Sequence, residues 1–436
     1  MKRLFRIVGM LLIAVGATAG ASAQIEVPGL PPLPPPQLPL PPVTDPVTGT
    51  LRTARSAVLT EARKLRVREL LRTQRETVEA DPDGQPILRR QIGVLSPSAE
   101  ALEWARAEGF TVLRTESLDG LGMSLVVLQA PERLSTRRAL KRLRKLDPEG
   151  SYDYNHLYLD AGVQVETAEP APPPEPAVEA TPAAVLIARI GLIDSGVDSN
   201  HPVLAGANIE RNGCDGAPMP AAHGTAVASL LIGKADGFQG VMPGATLYAA
   251  DIFCGHGGGS MSMLAVALDW MARERVPVVN ISLVGAKSVL LTGLIRAMTA
   301  RGHLLVAAVG NDGPSSPPLF PAAYPEVIGV TGVDAEQRVL PEACRGEQVD
   351  FAAAGAGLEA AAVGGGFGAV RGTSYATPIV AALLAGVLKA PDPAAARTAL
   401  VGLESAALDL GKKGADTTYG KGLVGADLHP GRVEES

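Results

Sequence analysis

Gly372-Thr373-Ser374-Tyr375-Ala376-Thr377-Pro378 runs straight into Ile379-Val380-Ala381-Ala382-Leu383-Leu384, so a glycine turn opens directly onto an apolar helix. A serine at such a junction faces the helix's unpaired backbone donors and its positive dipole end, which favour negative charge on a nearby oxygen. Pro378 has no N–H for the carbonyl of Ser374, four residues earlier, which predicts a local distortion. The residues after it are apolar on every side. That is the pattern of a helix buried all round, and the run is too short to span a bilayer. A Gly-Thr-Ser start also fits a plain helix cap; to act as a nucleophile the serine needs partners elsewhere in the chain.

Around this stretch, apolar runs alternate with helical ones, the signature of a parallel sheet covered on both faces. The candidate strands are 185–193, 246–253, 276–281, 304–309 and 327–333. Functional groups in such sheets gather beyond the carboxyl ends of the strands. Asp194 ends the first of them, where a carboxylate caps a helix, binds a metal or orients a base. His223 opens His223-Gly224-Thr225-Ala226-Val227-Ala228-Ser229, at the start of another buried helix. A helix start disfavours the imidazolium, so a neutral ring is expected there, either as a base or as a satisfied core histidine. Asn311 follows the strand 304–309 in Gly310-Asn311-Asp312-Gly313, which reads as a turn or as an amide donor beside an oxyanion.

The first half of the chain is different in kind. With 436 residues, 46% hydrophobic and 19% charged, the chain is long enough for one large domain and one small one. A net charge of −6 argues against nucleic acid as a partner. Residues 1–23 read as a secretory signal: Lys2, Arg3 and Arg6, an apolar run from Ile7 to Val15, then Ala21-Ser22-Ala23 as cleavage site. Export, to a periplasm or out of the cell, with no stable membrane insertion afterwards, is the expectation. Residues 24–50 form a proline-rich spacer, 51–83 a helical segment without Gly or Pro through about Ala80, and 84–160 a compact β-α-β-β-α-β unit of ferredoxin-like topology. Residues 161–184, rich in Pro, Ala and Glu, read as a linker to a domain over 185–430.

Asp194, His223, Asn311 and Ser374, each in its own motif and in this order, resemble the subtilisin-like serine protease family. The resemblance covers roughly residues 185–428 and includes Tyr419-Gly420-Lys421-Gly422-Leu423-Val424-Gly425-Ala426 near the end. It implies a three-layer α/β domain with a doubly wound, mainly parallel sheet, and a serine endopeptidase acting on polypeptides through an acyl-enzyme. Ser374 would be the nucleophile, His223 its base and Asp194 the group that fixes the imidazole tautomer. The Asn311 side chain and the Ser374 N–H would form the oxyanion hole.

The resemblance also implies a groove for an extended peptide, between Gly257-Gly258-Gly259 and Ser282-Leu283-Val284, with Ala308, Val309 and Gly310 nearby. Val284 stands where the family usually has glycine, which implies a preference for small residues before the scissile bond. The 84–160 unit would be an inhibitory prodomain, a partner folded onto the protease until cut away. Cys214 and Cys254 are expected to pair and Cys344 to stay free. No cofactor is expected; calcium is compatible with the family but has no readable loop here. The competing reading is a peptide-binding protein of the same fold, kept blocked by that unit.

Overall fold

Strands buried on both faces need apolar side chains pointing up and down, and the second half of the chain supplies them. Ile190, Leu192, Val278, Val306 and Val330 face one way, and Ile193, Val279, Ile281, Leu305 and Ala307 the other. The computed structural model describes residues 50–161, 163–165, 188–428 and 430–432. The secretory signal, the proline-rich spacer and most of the linker lie outside these residues. Seven parallel strands follow the spatial order 351–354, 328–333, 304–308, 278–281, 189–194, 246–251 and 209–212. Helices Ala222–Ile232 and Thr373–Val387 fill one face; Met261–Arg273 and Val289–Ala300 fill the other. This is the expected three-layer α/β architecture. The edge strands 209–212 and 351–354 were not expected.

The serine helix runs unbroken through Pro378. Its freed carbonyl, that of Ser374, accepts instead from the Ser282 hydroxyl at 2.9 Å. The distortion predicted from the proline is therefore answered by a side chain from the neighbouring segment.

The unit before the linker is an antiparallel sheet ordered Ser151–Asp160, Pro86–Leu95, Met123–Gln129, Thr111–Leu118. Helices Ala99–Ala107 and Thr136–Leu146 cover one face, capped by the Ser98 and Ser135 side chains. The other face brings Leu118, Leu121, Leu125 and Val127 into the same apolar core as Leu290, Leu294 and Met271 of the large domain. Asn155 and Asp153 reach the starts of the two helices beneath. Ser262 N–H donates to Asn155 Oδ1 at 3.2 Å and Val289 N–H to Asp153 Oδ2 at 2.7 Å, each satisfying a first-turn donor.

Two expected boundaries are corrected. The N-terminal helix spans Thr50–Thr73, not 51–83; Val78–Ala80 turns back as a strand on Pro86–Leu88, with Val78 buried. The expected linker includes Val163–Val165, which forms a strand on Phe367–Arg371.

Asp153→Ala removes the acceptor of the Val289 N–H together with the Asp153 contacts to Tyr154 N–H and Arg144. It should cost about 1 kcal/mol and lower the melting midpoint of the full chain by roughly 1–3 °C. An unchanged midpoint in differential scanning calorimetry would mean that water replaces the carboxylate at no loss.

Candidate active site

Asp194 is the last residue of the central strand Arg189–Asp194, and the 1% of it left exposed isolates the carboxylate from water. His223 sits in the first turn of its helix, 8% exposed, and its Nδ1 lies 2.8 and 3.0 Å from the two Asp194 oxygens. A carboxylate accepting at Nδ1 makes that nitrogen the N–H and leaves Nε2 as the basic one. Ser195, which the sequence reading passed over, ties the two together. Its N–H and hydroxyl both donate to Asp194 Oδ1, and its Oγ accepts from Gly224 N–H at 3.0 Å. Gly224 is required for this approach, because a Cβ there would lie 2.1 Å from the Ser195 carbonyl oxygen.

Burial pulls the His223 imidazole down, but the charge and hydrogen bond of Asp194, with Asp160 adding and Arg66 opposing, carry its pKa above the ordinary 6.5. The Asp194 carboxylate thus acts on the ring against both burial and the helix-start dipole.

Ser374 is the second residue of the helix Thr373–Val387 and fully buried. The Tyr375 ring, next in sequence, lies 5.5 Å from the His223 ring. No hydrogen bond joins the Ser374 hydroxyl to His223. The hydroxyl instead points 3.4 Å from the Ser282 carbonyl oxygen, and His223 Nε2 has no partner among the described residues.

Asn311 is oriented by Thr373, a second residue the sequence reading left unassigned. Thr373 N–H donates to Asn311 Oδ1 at 3.2 Å, and Gly310 N–H donates to the Thr373 hydroxyl at 3.2 Å. With its oxygen engaged, the Asn311 amide turns its NH2 outward, and that group donates to the carbonyl of Ala161. Glu342, buried, grips Arg371 through both carboxylate oxygens at 2.6 and 3.1 Å. That pair steadies the strand leading into Ser374.

The groove residues meet the end of strand Ser151–Asp160. Gly259 and Ser260 pair with Tyr158 and Leu157, while Leu283 and Val284 pair with Asp160 and Leu159, all antiparallel. Ala161 N–H donates to the Ser282 carbonyl at 3.2 Å. Gly257 and Gly258 are buried beside this strand; a Cβ on Gly258 would lie 3.0 Å from the Tyr158 carbonyl oxygen. Gly285 leaves room for the buried Tyr158 ring, whose hydroxyl donates to the Ala286 carbonyl at 3.1 Å. Val284 is buried, and Gly310 backs onto it, an added Cβ being 3.5 Å from Val284 Cγ1. Ala308 and Val309 are fully buried behind them. Beyond Ala161 the chain pairs again, Val163 with Arg371 and Val165 with Ala369.

Cys214 and Cys254 form a disulfide; Cys344 is free and buried, its thiol pushed up to about 11 by that burial. Asp251 lies close to both bridged sulfurs. With those sulfurs engaged in the bridge, one carboxylate remains, which is not a metal site.

A doubly wound sheet with an Asp–His pair beside a helix-borne serine, and an asparagine amide next to it, is the arrangement of the subtilisin-like serine protease family. Residues 188–422 match the subtilase family (Peptidase_S8), and the chain belongs to that family. The minor extracellular protease Epr of Bacillus subtilis (strain 168) is 32% identical over 241 residues, 54% of this chain and 37% of that protein. Subtilisin of Bacillus pumilus is 32% identical over 245 residues, 54% of this chain and 88% of the relative. The match to subtilisin E of Bacillus subtilis (strain 168) spans 64% of it, so neither it nor Epr is covered by two thirds. Among solved structures, fervidolysin from Fervidobacterium pennivorans superposes with a TM-score of 0.63 at 22% identity, over 80% of this chain and 62% of that one. That likeness speaks for the fold.

In the Ser374→Ala chain, the NMR titration midpoint of His223 is expected above 6.5. Asp160→Asn removes a negative charge from its surroundings, which destabilises the imidazolium, so the midpoint should fall. A rise would contradict the assigned electrostatics.

Proposed function

We propose that the chain is an exported serine endopeptidase made as a self-inhibited precursor, with its own residues 84–160 as the inhibitory partner. One observation carries this reading: residues 157–161 pair with the groove segments, residues 163–165 pair with the strand leading into Ser374, and the Ala161 carbonyl accepts from Asn311. The chain occupies its own site as a substrate does, so the Ala161–Gly162 bond is the one presented for cleavage.

In this mechanism the Ser374 hydroxyl leaves the Ser282 carbonyl and attacks the Ala161 carbonyl carbon while His223 Nε2 takes its proton. Asp194 holds the ring in the tautomer that makes Nε2 basic and stabilises the imidazolium. Asn311 and the Ser374 N–H, unpaired in the first helical turn, receive the developing oxyanion. His223 then returns the proton to the departing Gly162 amine, and water hydrolyses the acyl-enzyme in a second pass. Because His223 acts as a base only when neutral, its raised pKa moves the onset of activity to higher pH than an ordinary histidine would give.

Export is supported by the leader-like residues 1–23; no helix among the described residues is long and apolar enough to cross a membrane. Polypeptide is the substrate class, as the groove offers backbone pairing over several residues. Buried Val284 supports small residues before the scissile bond, and Ala161 is one.

The wild-type chain should shorten to a form beginning at Gly162, read by N-terminal sequencing, while Ser374→Ala stays at full length. A purified wild type that keeps its length and hydrolyses no peptide would favour the peptide-binding alternative. For specificity, profiling with peptide libraries should find small residues before the cut in the wild type and bulkier ones admitted by Val284→Gly. Aromatic preference in the wild type would overturn the role given to Val284.

A further inference from the structure

Helix Thr50–Thr73 lies outside the ferredoxin-like unit, yet it reaches the catalytic groove. Arg63, Arg66, Val67 and Leu70 share one face of it, three and four residues apart. Leu70 packs with Val78 and Leu157, anchoring the helix beside the strand that fills the groove. One turn back, Arg66 grips the Asp160 carboxylate through both guanidinium nitrogens, Nη2 to Oδ2 at 2.9 Å. Arg63, a turn further, donates through Nη1 to Asp312 at 3.1 Å and through Nη2 to Gln85 at 2.7 Å. The Arg63 and Asp312 side chains are only 10% and 5% exposed.

The two carboxylates flank the reacting centre. Asp160 immediately precedes Ala161, and Asp312 immediately follows Asn311. Arg63 joins the N-terminal helix directly to the catalytic domain, and Arg66 fixes the groove-filling strand to that helix. Bidentate, poorly solvated arginine–carboxylate pairs hold geometry more firmly than exposed ones.

Hydrolysis of Ala161–Gly162 adds water across the bond, leaving a carboxylate on Ala161 and an amine on Gly162. The new charge appears next to Asp160, so two adjacent carboxylates then occupy the groove near Asp194. Among the described groups, Arg66 and the His223 imidazolium are the cations whose charge acts on Asp160.

We propose that Asp312 is the docking point for helix Thr50–Thr73, and that Arg63, held in register by the Arg66–Asp160 pair within its own segment, latches the cleaved N-terminal segment in place after the bond is cut. The latch rests on the self-processing reading above, but it acts on release and not on cleavage.

The test uses the full chain and separates the two steps. Mass spectrometry follows the appearance of the chain beginning at Gly162; size-exclusion chromatography and the lag before hydrolysis of a chromogenic peptide follow release. In Arg63→Ala/Arg66→Ala the bond should still be cut, and any change in cleavage rate should be much smaller than the change in release, since Arg66 touches cleavage only through Asp160 and the His223 charge. Release should accelerate by about 30-fold or more, the effect of truncating a buried charge pair on dissociation. Arg63→Lys/Arg66→Lys should fall between, since it keeps charge but loses the bidentate fork. Asp312→Asn loosens the latch from the catalytic side with the helix untouched, and should also speed release, which guards against a helix variant that merely misfolds. If the wild type cuts itself but the double variant and Asp312→Asn release at the wild-type rate, the latch is wrong and the protease reading stands. A wild-type chain that never cuts itself overturns both.

Discussion

The hydrogen bond from His223 Nδ1–H to Asp194 depends on almost everything else in the catalytic domain being where it is. A carboxylate with 1% of its surface exposed tolerates its charge only if donors surround it, and Ser195 and His223 are those donors. The parallel sheet delivers Asp194 at its centre, between strands 278–281 and 246–251. The glycine at position 224 lets the histidine helix come close enough to share Ser195. Packing, strand order and one glycine thus converge on a single imidazole nitrogen left free to act as a base.

The asparagine side of the site is organised by the same logic with neutral groups. The Thr373 backbone and hydroxyl fix Asn311 and Gly310, so the amide faces the bound carbonyl without choice of flip. Ser282 serves twice: its hydroxyl satisfies the carbonyl that Pro378 leaves unpaired, and its own carbonyl receives Ala161 N–H. A proline inside this unbroken helix is therefore accommodated through contact with the segment that lines the groove. Stability of the serine helix and shape of the substrate site are one arrangement.

Asp194, His223 and Ser374 stood out in the sequence because each lies at the end of an apolar strand or the start of an apolar helix, and Asn311 because it follows one; the local pattern left capping and turn readings open, and only the conjunction of the four motifs in order pointed to a shared site. What fills the groove was not readable. Residues 151–160 look like any strand, and burial on both sides removes the alternation that would tell one face from the other. Their carboxyl end acquires meaning only from Gly259, Ser260, Leu283 and Val284, over a hundred residues away. The same limit explains the misread helix boundary: Val78–Ala80 becomes a strand by pairing with Pro86–Leu88, which no helix propensity can register. The edge strand Ile209–Asn212 escaped notice because three of its four residues are polar.

Val163–Val165 belongs, by its pairing, to the catalytic domain's own hairpin. If the chain is severed after Ala161, as proposed, a fresh amino end would therefore remain stitched along the departing-group side of the cleft. Loss of the N-terminal unit would then clear only one half of the trough. A foreign peptide could lie across Ser374 only after this short ribbon is peeled away, so emergence from the proposed latency would have two unequal halves, one diffusive and one tethered.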